Sequence, residues 1–147
     1  MLVGGDSRLN TSRLSGSSLS LQVNENSDVL VGGNFSEISI AANGSSTLVI
    51  SGEASQRLSL ALEGGTTATG TGQTHDFSLR EAGSSTGDFS RLIAQTASVQ
   101  AFGSSSVKLV AAKSLSAVAA GSSTISYKGN PQGSSLKSVD SATIHRA

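Results

Sequence analysis

The sequence predicts an all-β fold: a right-handed, single-stranded parallel β-helix of about seven coils, roughly 19 residues per coil, forming one domain over residues 1–147. Three observations predict it. A Gly-Ser-Ser motif recurs at nearly constant spacing, apolar residues alternate on both sides of each motif, and the composition disfavours helix.

The spacing comes first. Gly44, Gly64, Gly83, Gly103 and Gly121 follow one another at steps of 18 to 20 residues, and all but Gly64 open a Gly-Ser-Ser. The same step reaches Glu25 and Asp6 towards the start of the chain and Asp140 towards its end. Self-similarity at a fixed period of this size marks a stack of repeating units.

The flanking residues repeat as well. Six, four and two positions before Gly44 stand Ile38, Ile40 and Ala42; before Gly64 they are Leu58, Leu60 and Leu62; before Glu25 they are Leu19, Leu21 and Val23. Four and six positions after the corners come Val29 and Val31, Leu48 and Ile50, Val107 and Leu109, Ile125 and Tyr127. Alternation with period two belongs to a strand with one buried face. One such unit cannot bury its apolar face alone, whereas a stack of them can, each strand pairing with its counterpart one coil later. Counterparts run in the same direction, and parallel crossovers are nearly always right-handed.

The corners follow from side-chain chemistry. Glycine bends the chain without Cβ strain, and serine hydroxyls bond nearby backbone groups. A second set of corner glycines stands eight residues on, at Gly33, Gly52, Gly72 and Gly129. Each coil therefore reads as strand, corner, strand, glycine corner and a short third side. Ser, Thr and Gly, at 31, 11 and 17 residues, are poor interior helix formers. The pattern is least regular over residues 64–91. Ala68, Gly70 and Gly87 stand where larger apolar residues are found in other coils, and Glu81 occupies an apolar column. A buried, unpaired carboxylate is costly, so a local bulge is expected to turn Glu81 to solvent.

Composition excludes several functions. Ten basic and ten acidic residues are scattered to a net charge of zero, and aromatics make up 3% of the chain. Nucleic-acid binding is therefore not expected, because both phosphate neutralisation and base stacking lack their groups. No apolar run approaches the ~20 residues that span a bilayer. The opening MLVGGDSRLN lacks the charged start and apolar middle of a signal peptide. The absence of cysteine removes disulfides and thiolate metal sites.

Catalytic and metal motifs are sparse. Polysaccharide-cleaving carboxylates must face one another across a bond. The one loose acidic group is Asp76, Glu81 and Asp88, with His75 and Arg80 near it in sequence. It is the weak candidate site, and a solvated surface is the favoured reading. Asn24, Asn26 and Asp28 alternate as in a calcium loop, but Val29 and Phe35 stand where that loop needs its glycine and closing acid. His75 and His145 have no partner at ligand spacing. No catalytic, cofactor-binding or metal-binding residue is assigned, and no cofactor is expected.

The stretch GSSTISYKGNPQ, with FSEISIAANGSSTLVISGEA and LSAVAAGSSTISYKGNP, resembles the auto-transporter adhesin family, also called the head GIN domain. The family shares the repeated corners with apolar alternation and a closing Tyr-x-Gly-x-Pro, here Tyr127, Gly129 and Pro131. The resemblance covers roughly residues 20–147. It implies a β-helix and a bacterial cell envelope or secreted location, and it brings no catalytic residues.

The leading functional expectation is thus a non-enzymatic adhesin-like module whose Ser/Thr-rich faces bind a carbohydrate or another cell-surface component. This rests on fold-level analogy. The alternative is a structural protein that self-associates end to end, because terminal strands offer unpaired backbone groups. A polysaccharide-active enzyme using the 76–88 region ranks third.

Overall fold

Twelve strands form among the residues described by the computed structural model, which are 2–11, 15–32 and 34–147, with the backbone alone at 52–55. They are β1 (Leu2–Val3), β2 (Arg8–Asn10), β3 (Ser15–Val23), β4 (Asp28–Val31), β5 (Asn34–Ala42), β6 (Thr47–Leu62), β7 (Thr67–Glu81), β8 (Thr86–Ala101), β9 (Ser106–Ala119), β10 (Thr124–Lys128), β11 (Gly133–Ser138) and β12 (Thr143–Arg146). Every pairing is parallel and joins one coil to the next. Ile40 lies over Leu60, and Leu60 over Leu79, as like-on-like stacking requires. The result is a parallel β-helix of about seven turns. No helix among the described residues is long and apolar enough to cross a membrane.

The first corner is a ladder of left-handed backbone. Gly44, Gly64, Gly83, Gly103 and Gly121 have φ between +74° and +82°. Glu25 and Asp140 adopt the same conformation at +65° and +62°, so these corners hold without glycine. At the start of the chain the structure moves the expected position: the left-handed residue is Gly5, at +69°, rather than Asp6. The second corner also departs from the expected scheme. Gly72 and Gly129 have positive φ, but Gly52 and Gly72 pair with each other inside the continuous strands β6 and β7. In β6 to β9 the third side is therefore a bend within long strands, where the register slips between Gly52 and Ser55, Thr69 and Thr71, and Phe89 and Ile93, whereas Gly129 stands as expected in the break between β10 and β11. Gly33 lies outside the described residues.

At six corners the hydroxyl two residues after the left-handed position points inward. Ser27, Ser46, Thr66, Ser85, Ser105 and Ser123 are all buried. The Ser85 hydroxyl lies 3.0 Å from the Ala82 carbonyl in its own coil and 3.2 Å from the Gly64 carbonyl in the coil before. Ser46, Thr66 and Ser123 repeat this shared bond. Each hydroxyl thus serves corner carbonyls that would otherwise be buried with less satisfaction. Ser85→Ala is expected to cost about 1–2 kcal/mol, while Ala at its exposed neighbour Ser84 should stay within ~0.5 kcal/mol. Equal denaturant midpoints for the two variants would contradict the bridging role.

The core consists of stacked apolar columns, and its apparent gaps are filled from the side. Gly70 is small because Phe89 occupies its space: an added Cβ there would lie 2.5 Å from the Phe89 ring. Phe89 in turn meets Phe77 with ring centroids 4.9 Å apart and planes tilted by 55°. Such tilted pairs add to the area term of burial. Gly70 and Gly87 are therefore complementary to Phe89 and to Glu81.

Candidate binding face

The three acidic candidates do not converge. Asp76 is half-buried on the outer surface, where its carboxylate lies 3.2 Å from His75 Nδ1. Asp88 is exposed on the strand segment after the corner, accepting bonds from the Ser90 hydroxyl at 2.6 Å and the Ser90 N–H at 3.2 Å. Those bonds, aided by the charges of Lys108 and Arg91, hold its carboxyl below the usual range.

Glu81 corrects the expectation of a solvent-facing bulge, because it is 0% exposed. Its register is unbroken, between Leu62 and Ala101 in the adjacent coils, so alternation drives the side chain inward. Room for it comes from Gly87, where a Cβ would collide with Glu81 Oε1. Neither carboxyl oxygen has a hydrogen-bond partner among the described residues. Burial alone pushes the carboxyl up to about 8, so it is largely protonated at neutral pH. No group of three or more His, Asp or Glu residues able to hold a metal occurs among the described residues.

The most regular surface feature is a column of serines. Ser20, Ser39, Ser59, Ser78, Ser98, Ser116 and Ser135 pair in unbroken register across seven coils. They stand five residues before the successive left-handed corners, from Glu25 to Asp140. All point outward, six exposed and Ser59 half-buried. At ~4.8 Å between paired strands the column runs for about 30 Å. From Ser39 onwards no hydroxyl of the column is bonded to another described residue. Past the corner a second column, Thr47, Thr67, Thr86, Ser106, Thr124 and Thr143, runs parallel to it.

Beside the serine column the surface is recessed. Two adjoining hollows, of about 400 and 320 Å³, share Gln56 and His75. The smaller is lined also by Glu37, Arg57 and Asp76, the column next to the serines. Arg57 lies 3.6 Å from Glu37 there, so this hollow holds one ion pair beside the contact of the His75 ring with the Asp76 carboxylate. The larger is lined by Gln73, Thr74, Ile93, Gln95, Ala112 and Lys113 as well. A bulge shapes it: the pairing steps from Ala94 with Ala111 to Thr96 with Ser114, which sets Ala112 and Lys113 together against Gln95. Bulges of this kind re-aim side chains.

Fold and surface together define a β-solenoid scaffold that carries ordered hydroxyl columns. The chain belongs to the family described as Putative auto-transporter adhesin, head GIN domain, whose model matches residues 2–131. No curated protein matches the chain.

Proposed function

We propose that the protein is a non-enzymatic, adhesin-like binding module of the bacterial cell envelope or of the secreted fraction. Its serine-columned face holds a hydroxyl-rich glycan chain laid along the solenoid axis. The observation that carries this reading is the serine column, whose hydroxyls from Ser39 onwards can each donate and accept one coil apart. The serine column itself offers neither an aromatic side chain nor a charge, and the half-buried Phe102 ring beside it lies under the Arg80 guanidinium. That suits many weak polar contacts better than the few large anchors typical of protein partners. The family description supports an adhesive role, and the separation of Asp76, Glu81 and Asp88 supports a non-catalytic one.

The test is binding of the purified protein to a glycan array and to polysaccharide fractions of bacterial envelopes. Replacing Ser59, Ser78 and Ser98 together by Val keeps strand propensity while removing three hydroxyls. At ~1 kcal/mol for each neutral hydrogen bond, affinity should fall more than tenfold with the fold retained. A protein that is retained by no cell-surface fraction would sink the reading.

A second reading, end-to-end self-association, draws on one observation. The last coil leaves Leu136 and Val139 more than two-fifths exposed, although Leu136 continues the inward column above Ala117. Sizing chromatography over a hundredfold or so concentration range checks it, and a strictly monomeric species would remove it.

A further inference from the structure

The geometry points to the larger hollow as a subsite for a carboxylate-bearing sugar, a uronic acid residue within the glycan; this rests on the reading of the serine face as a glycan site. Lys113 carries the inference. Among the described residues it is the one lysine or arginine lining that hollow, and no ion pair or hydrogen bond joins its side chain to another of them. The bulge at Ala112 and Lys113 places it opposite Gln95, so Lys113 lines the recess from outside the regular pairing.

The other lining groups fit the rest of a sugar ring. Gln56, Gln73 and Gln95 contribute amides that make no bond to other described residues, each able to donate to one hydroxyl and accept from another. Ile93, 45% exposed, supplies an apolar patch for the C–H face of a pyranose. A neutral sugar would leave the ammonium without a counter-charge, whereas a carboxylate makes a charge-assisted hydrogen bond to it. In the adjoining smaller hollow the one guanidinium, Arg57, is already paired with Glu37, and Asp76 meets the His75 ring, so the next residue along the chain need carry no carboxylate.

The experiment measures binding of the full chain to oligogalacturonate and to its methyl ester, which has the same backbone with its carboxylates masked. The wild type should bind the acid at least tenfold tighter, with the preference shrinking as salt is raised. Lys113→Gln should bring the acid down to the level of the ester, with a far smaller change in binding of the ester. Gln95→Ala should weaken both, and an unchanged thermal midpoint will show that the fold survives in each variant. Equal affinity of the wild type for acid and ester would overturn the subsite while the glycan reading stands. Binding of neither, with no other glycan retained, would overturn both. The triple Ser59, Ser78 and Ser98 variant should weaken acid and ester by the same factor, and loss confined to the acid would move the carboxylate contact from the hollow to the serine face.

Discussion

Glu81→Gln is expected to flatten the dependence of stability on pH between 4.5 and about 8, and to make the protein more stable than the wild type on the alkaline side. The sign follows from where the proton resides. Below the ordinary value of 4.5 folded and unfolded chains are both protonated at this position, and nothing titrates. Above it the unfolded chain releases a proton that the folded chain keeps, so stability falls by ~1.4 kcal/mol for each pH unit. Past about 8 the buried group ionises too and the loss levels off. The accumulated penalty is on the order of 5 kcal/mol, comparable with the whole stability of many small domains. Glutamine keeps the shape and carries no titrating proton. The acid limb should persist in both proteins, because Asp88, held low by Ser90, acts with the opposite sign. Urea titrations at several pH values measure the effect, and parallel curves for wild type and variant would contradict the buried placement.

Gly103→Ala should be strongly destabilising for a single-methyl change at a corner. Its φ of +74° is strained for any residue with a Cβ, at about 1–2 kcal/mol. The new methyl would also lie 2.7 Å from the carbonyl oxygen of Gly83, which is backbone and cannot rotate away. That carbonyl accepts the Ser104 N–H at 2.8 Å, so any shift disturbs the ladder bond as well. A total loss of ~3 kcal/mol is expected, or roughly 10 °C in the thermal midpoint. Gly65→Ala is the matched control. Its added methyl would meet nothing closer than Ser45 Oγ at 3.6 Å, and the change should stay within ~0.5 kcal/mol. Similar midpoints for the two variants would show that the corner tolerates side chains.

The serine column was as legible as the apolar ones, since it keeps a fixed offset of five residues before each left-handed corner. It is hidden by abundance: with 31 serines in the chain, an isolated serine carries little information. The inward direction of the second corner hydroxyl had no comparable signature. Ser84 and Ser85 are adjacent and chemically identical, and only the path of the backbone between coils decides which one meets the Gly64 carbonyl.

By itself the sequence determined the all-β architecture, the coil period and the inward columns. These are nearest-neighbour properties: Ile40, Leu60 and Leu79 need only the same offset from their corners to stack. Tertiary structure decided the rest, because it depends on volumes and charges brought from other coils. Glu81 turns inward because Gly87 vacates the space it fills, a match between two sides of the solenoid. Lys113 enters the recess because one extra residue bulges out of register against β8, and an inserted residue looks the same in a sequence wherever along the coil the slack is taken up.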